Sequence, residues 1–558
     1  MTVLNRDQIS ARMLKRAEDF ERGYRQNLAL LGRAGLGKTK LITRFTESIR
    51  SRESSVLTVF IDLAPVSANQ ITFYWIRCLL SAALTLPDSS LETLLDAADA
   101  QIPKTAKAAR HILKLHKQGN AAMAVREIFA LSGQLAEETA RKIILILDEF
   151  LGLEKFAVHD VYSIFGNRMM MEKEVLFIVT SSDSRKSRTI FSEKLSLLFS
   201  NFETMDLQSF GFKEMNANID ARACASYLSL PARRFLFRLT DGDPRYLDAL
   251  LRALDDLVCM DPKRQLGIAP LFETVMREAL EPDGRISLLF QKRVESLPRG
   301  LRESQQTLTE AVALLSAGRV KPGALAAALG LKLPEIKKMI SRMEDGGWLI
   351  SGGASYSLRD SLFRFWAHEV LLPDCQGQLL DEKSRRSRWM RLLGGIYEAG
   401  CESDSGKIAA QMEALLKQFR PGTIQLEGRK IYGTHFQEIS WSAVTEGVWL
   451  VRGTASKESH FYLASSRELT ESDVEEFRAV SGRQKKRVHR VLVAASGIEQ
   501  NAKLLAQQYK MDIWDLRFFN LLLDFHGLAK SIMEKRNSLW DHEGAWVGAE
   551  GLFSSVTK

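Results

Sequence analysis

The residues with the most direct chemical meaning are Gly32-Arg33-Ala34-Gly35-Leu36-Gly37-Lys38-Thr39. They fit the spacing of a phosphate-binding loop: a glycine, four residues, then Gly-Lys-Thr. Glycines let successive backbone N–H groups turn inward around phosphate oxygens. A helix that starts at the loop aims the positive end of its dipole at the same anion. Lys38 is expected to neutralise the β- and γ-phosphates, and Thr39 to offer its hydroxyl to Mg²⁺. With Lys40 beginning the helical stretch, residues 32–40 form the candidate nucleotide cradle. ATP and ADP are the expected ligands, with Mg²⁺ as cofactor. The competing reading, a glycine-rich surface turn, fits poorly with an apolar run before the loop and a helical run after it.

Further along the chain come residues that such a loop needs as partners. Asp148-Glu149 closes the apolar run Ile143-Ile144-Leu145-Ile146-Leu147. Asp148 is expected to hold Mg²⁺, directly or through water, and Glu149 to orient and deprotonate the attacking water. Alone, the pair reads equally well as an acidic strand end. Thr180 and Ser182 lie at the end of Glu174–Thr180, where they could sense the γ-phosphate or simply cap a helix. The turn Gly242-Asp243-Pro244 could bring Pro244 against the base, or be a plain proline-led helix start.

These groups must be positioned by alternating elements. Asn27–Leu31, Ser55–Leu63, Lys142–Leu147 and Glu174–Thr180 read as strands, most of them apolar throughout and separated by helical patterns. That is the signature of a parallel sheet covered on both faces, with its site at the carboxyl edge. Residues 207–302 are helical. Residues 303–370 read as three helices and a β-hairpin (Trp348-Leu349-Ile350 and Tyr356-Ser357-Leu358), the pattern of a winged helix. The third helix carries Lys332, Lys337, Lys338 and Arg342, which could lie on DNA phosphates or pack within the protein. Residues 385–528 return to α/β, and 529–558 read as a tail.

The 558 residues carry 77 Lys and Arg against 68 Asp and Glu, a net charge of +9. That mild excess permits contact with phosphates without requiring it. With 45% hydrophobic and 26% charged residues, the composition is globular, which excludes disordered and fibrous classes. Cys78, Cys224, Cys259, Cys375 and Cys401 are widely spaced, so neither a zinc cluster nor a disulfide framework is expected from them. No stretch is long and apolar enough for a membrane span, and no signal peptide is visible. A cytoplasmic location is the expectation.

GRAGLGKT, IILILDEF, FIVTSSDS, LTDGDPRYLDALL and YSLRDSLFRFW together resemble an AAA+/STAND-related P-loop ATPase of the archaeal-ATPase type. The resemblance implies a P-loop ATPase core (1–206), a helical lid (207–302), a winged helix (303–370) and an α/β restriction-endonuclease-like domain (385–528). Many relatives carry an arginine just before the lid. LLFSNFETMDLQSF has none, and Arg185 and Arg188 are the nearer alternatives. Active nucleases of the C-terminal type need an Asp and a Glu-x-Lys on neighbouring strands. The strand expected to carry the latter, Phe461–Ser466, has neither, and Glu446 and Glu458 look wrongly spaced, so the domain is expected to be inactive. Arg483-Gln484-Lys485-Lys486-Arg487 could be its basic edge or a solvated helix end. The implied function is an ATP-hydrolysing switch that couples nucleotide state to double-stranded DNA, a protein partner or further copies of itself. The alternatives are a DNA-binding regulator or defence component with a structural nucleotide, and a nucleotide-gated nuclease.

Overall fold

The computed structural model describes residues 6–52, 56–195, 202–260, 267–297, 304–352, 354–378, 381–401, 407–426, 429–456, 458–482 and 487–532. Contacts divide the chain into two compact units. One comprises Met1–Ala317, Pro322–Leu349 and Leu358–Arg391; the other comprises Gly318–Lys321, Ile350–Ser357 and Leu392–Lys558.

In the first unit, β1 (Asn27–Leu31), β2 (Leu57–Asp62), β3 (Ile143–Asp148), β4 (Val175–Ser181) and β5 (Phe202–Asp206) form one sheet in the order β2-β3-β4-β1-β5. Every pairing is parallel. β1, β3 and β4 are buried along their whole length, as continuous apolar runs require. One face packs on the helices Arg6–Glu21 and Lys38–Arg50 through Met13, Phe20, Ile42 and Phe45. The other is covered by helices inserted between β2 and β3 and by those that follow β3 and β4, through Trp75, Phe129, Phe165 and Phe191. The helix after β1 therefore lies on one face, and those after β3 and β4 on the other. The chain reverses between β1 and β4, and at such a switch point a crevice opens at the carboxyl ends of the strands.

β5 was not anticipated. Its sequence, Phe-Glu-Thr-Met-Asp, is half polar because it lies at the sheet edge with only part of its length buried. Helices from Phe212–Asp220 to Arg285–Glu295 follow, then Gln305–Ser316, Pro322–Leu329 and Leu333–Asp345.

The hairpin strands are β6 (Leu349–Gly352) and β7 (Ser355–Leu358). They extend into a sheet with β8 (Gly422–Leu426) and β9 (Arg429–Gly433), in the order β7-β6-β8-β9. A separate sheet contains β10 (Glu438–Thr445), β11 (Val448–Thr454), β12 (Glu458–Ser465), β13 (Arg487–Ala494) and β14 (Asp512–Asp515), in sequence order. The first three strands are antiparallel and the last three parallel. Helices Ile408–Gln418 and Leu516–Phe525 cover one face, and Glu471–Ser481 and Gln500–Gln508 the other. β12 begins at Glu458, so Glu458-Ser459-His460 lies on the strand itself, ahead of the stretch Phe461–Ser466 in which Glu-x-Lys was expected. His occupies the position a lysine would take in Glu-x-Lys, and β11 carries no carboxylate.

Arg483–Lys486 of the basic run and residues 533–558 of the tail lie outside the described residues. Among the described residues, no helix is long and apolar enough to cross a membrane.

Candidate functional site

β1 delivers the glycine loop to the switch point. The Gly32 N–H bonds to the Ser181 carbonyl at 3.1 Å, so the loop leaves the sheet still tied to β4. Gly35 and Gly37 both take left-handed backbone angles (φ 81° and 91°), a region that L side chains enter at a cost. Gly37 is the N-cap of helix Lys38–Arg50, so that helix begins at the loop. Ala34 and Gly35 are exposed, and Leu36 is buried. Arg6, entering from the N-terminal helix, donates to the Leu36 carbonyl (2.9 Å) and the Gln208 carbonyl (3.0 Å). The Arg33 guanidinium turns to Ser209 Oγ at 3.3 Å. Lys40 is exposed in the first turn of the helix.

Lys38 is buried. Its ammonium donates to the Gly32 carbonyl (2.8 Å), the Arg33 carbonyl (3.4 Å) and Ser182 Oγ (2.7 Å), and lies 3.3 Å from Glu149 Oε1. Burial pushes its pKa below the ordinary lysine value. Glu149 and Asp148 pull it back, and the nearby Arg245 charge adds to the push.

Two carboxylates arrive from the end of β3. Asp148 is buried and accepts a hydrogen bond from Thr39 Oγ1 at 2.6 Å and another from Thr180 Oγ1. The same Thr180 hydroxyl accepts from the Glu149 N–H at 3.1 Å. Glu149 accepts from the Ser182 N–H at 2.8 Å and from the Ser182 hydroxyl. Lys38, Thr39, Asp148, Glu149, Thr180 and Ser182 therefore form one connected cluster drawn from three segments. The Thr39 hydroxyl beside the Asp148 carboxylate is an all-oxygen donor pair, which fits the hard-cation preference of Mg²⁺.

Pro244 opens the helix Pro244–Met260, but the residue of that turn lying on the loop is the next one. Arg245 lies so close over Gly35 that a Cβ there would meet Arg245 Cδ at 1.9 Å. Its guanidinium is held in a fork by buried Asp243, with Nε at 3.1 Å and Nη2 at 2.9 Å from the two carboxylate oxygens. Burial opposes the Arg245 charge, but the Asp243 carboxylate raises its pKa above the ordinary arginine value. Sequence reasoning missed Arg245, because no local pattern ties residue 245 to residue 35. The only signal was a cation directly after a Gly-Asp-Pro turn.

The alternative arginines are engaged elsewhere. Arg188 pairs with Asp206 at 2.5 Å, and Arg185 with Asp345 at 3.2 Å. Helix Leu333–Asp345 buries Ile336, Met339, Ile340 and Met343 and exposes Lys337 and Lys338, while Arg342 is half-buried.

Parallel strands, a glycine loop at the switch point and paired carboxylates at the end of β3, one strand beyond β4, now stand together. This is a mixed α/β fold built on a parallel five-strand sheet. No protein-family model matches the chain, and no curated protein matches it. Among solved structures, a Walker-type ATPase of Pyrococcus abyssi is similar at 14% identity and a TM-score of 0.43, over 65% of this chain and 96% of that one. The Aeropyrum pernix ORC2 protein in ADPNP–ADP complexes is similar at 13% identity and a TM-score of 0.39, over 71% and 95%. The Aeropyrum pernix ORC1 protein in complex with DNA gives 14% and 0.37, over 68% and 95%.

Proposed function

We propose that this chain is an AAA+-like molecular switch that binds and hydrolyses ATP, coupling nucleotide state to engagement of double-stranded DNA or a protein partner. The observation that carries this reading is the connected cluster at the β1/β4 switch point. There an ammonium, a hydroxyl–carboxylate pair and a second carboxylate converge on a loop whose Gly35 and Gly37 take left-handed backbone angles. The loop of residues 32–40 and the Lys38 ammonium bind the phosphates. Thr39 and Asp148 are the residues that would hold Mg²⁺, which when bound neutralises phosphate charge. Glu149 is the general base for water. Thr180 holds the Asp148 carboxylate and Ser182 the Glu149 carboxylate, and so the pair registers the γ-phosphate position. Arg245, anchored on Asp243 over Gly35, brings a second cation from the lid, and Pro244 sets the angle at which that helix leaves the turn. The three helices and hairpin of residues 305–358 act as a winged helix, with Lys337, Lys338 and Arg342 as its phosphate contacts. The C-terminal α/β unit serves as an inactive restriction-endonuclease-like reporter. The site of action is cytoplasmic.

The test is phosphate release and nucleotide binding by the wild type, Glu149→Gln and Lys38→Ala, each with Mg²⁺ and with or without duplex DNA at two salt concentrations. Loss of a general base lowers turnover by about 10²–10⁴-fold, so Glu149→Gln should retain ATP while releasing little phosphate, and Lys38→Ala should lose affinity. DNA should alter the wild-type rate more at low salt. A wild type without affinity for adenine nucleotides, or a Glu149→Gln variant with unchanged turnover, refutes the switch.

A further inference from the structure

The second unit contains a cluster that the nucleotide reading does not use. β12 and β13 run parallel, with His460 directly opposite His489. Side chains two apart on a strand share a face, so Glu458 joins both imidazoles. His460 Nε2 lies 3.3 Å from Glu458 Oε1, and His489 Nε2 lies 3.4 Å from Glu458 Oε2. The two rings are 4.5 Å apart, and the three ligating atoms all lie within 4.8 Å of one another.

We propose that Glu458, His460 and His489 form a binding site for a divalent first-row transition metal of the Zn²⁺ class.

His460 carries the argument beyond mere proximity. It is only 6% exposed, and its Nε2 makes no well-directed hydrogen bond, its nearest polar neighbour being Glu458 Oε1 at 3.3 Å. Buried polar atoms are nearly always satisfied. Its other nitrogen, Nδ1, is 3.3 Å from the Tyr462 hydroxyl, and the Phe436 ring packs edge-on at 5.1 Å. A ring held this way presents Nε2 inward, the arrangement in which one imidazole nitrogen is steadied by an outer partner while the other ligates. Thr434 Oγ1 likewise donates to Glu458 Oε1 at 2.6 Å and fixes the carboxylate. A cation between the three atoms would satisfy Nε2 and both carboxylate oxygens at once.

Two imidazoles with one carboxylate favour Zn²⁺ and Co²⁺ over Mg²⁺ and Ca²⁺, which prefer oxygen-only shells. Glu458 and His489 side chains are 26% and 34% exposed, so an ion can enter from solvent. Three protein ligands leave a fourth tetrahedral position open.

The experiment uses the full-length chain, stripped with chelator and free of nucleotide. Co²⁺ is titrated in while visible ligand-field absorption is followed, and Zn²⁺ and Mg²⁺ then compete. The wild type should bind Co²⁺ and release it to Zn²⁺ but not to Mg²⁺. Glu458→Gln and His489→Ala, both at partly exposed positions, should each bind at least about tenfold more weakly, and Zn²⁺ should raise the melting temperature of the wild type alone. Absence of Co²⁺ uptake by the wild type, displacement by Mg²⁺, or undiminished affinity in either variant overturns the site.

Discussion

Gly35→Ala is the sharpest probe of the loop, because its cost separates into two parts with different causes. The first is backbone strain: at φ 81° an L residue costs about 1–2 kcal/mol. The second is steric. The new Cβ would lie 1.9 Å from Arg245 Cδ and 2.3 Å from its Nε, so the arginine must leave, breaking its fork with Asp243. Hydrogen bonds to charged groups contribute about 1.5–3 kcal/mol, and Asp243 is buried. If the ordered loop bears both parts, the sum is about 2.5–5 kcal/mol, or about 10²–10³-fold or more in nucleotide affinity. Arg245→Ala removes the obstruction, so in that background Gly35→Ala should cost only the strain, about 5–30-fold. Calorimetric titration of ATP into all four members of the cycle gives the coupling directly, with a thermal melt to confirm folding. An equal cost of Gly35→Ala in both backgrounds refutes the claim that Arg245 packs on the loop.

Two further outcomes follow from buried groups. Burial, with Arg319 and Arg420 nearby, lowers the His526 pKa from 6.5 to about 4, and its Nδ1 faces Arg319 Nη1 at 3.4 Å. The unfolded chain thus takes up the proton first, so stability is fully present above about pH 6.5 and falls as pH drops toward 4. The wild-type melting temperature should fall over that window more steeply than that of His526→Gln, and parallel slopes would contradict this. Tyr246 donates to buried Asp360 at 2.6 Å, so Tyr246→Phe should destabilise the first unit by about 1–3 kcal/mol in a denaturant melt; no change in midpoint would show that the bond is dispensable.

The sequence reveals those parts of the molecule in which neighbouring residues act together. β1, β3 and β4 are legible because strands buried on both faces leave unbroken apolar runs, and the loop is legible because its glycines and lysine occupy consecutive backbone positions. β10 is not legible: most of its residues are exposed at a sheet edge, so no apolar rhythm marks it. β8 and β9 are short, with exposed residues interleaved. Arg245 is hidden for a different reason. Its partner Gly35 is brought to it by the fold, and sequence spacing carries no trace of that meeting. The same holds for His460 and His489, which are aligned by the register of two parallel strands whose connection includes the helix Glu471–Ser481.

Glu149 shows how the backbone solves a problem that strand geometry creates. Successive side chains on a strand point to opposite faces. Were Glu149 to continue β3 in extended form, its carboxylate would turn away from the one at Asp148. Instead Glu149 takes a left-handed conformation, φ 52° and ψ 56°, which for a non-glycine residue costs about 1–2 kcal/mol. The turn brings both carboxylates to the same loop, Asp148 to the Thr39 hydroxyl and Glu149 to the Lys38 ammonium. The Ser182 N–H and hydroxyl then hold Glu149 in that pose. Those bonds offset the strain only while β4 ends beside β3 with Ser182 at its tip. The sheet order, the polar strand end and the strained residue therefore require one another.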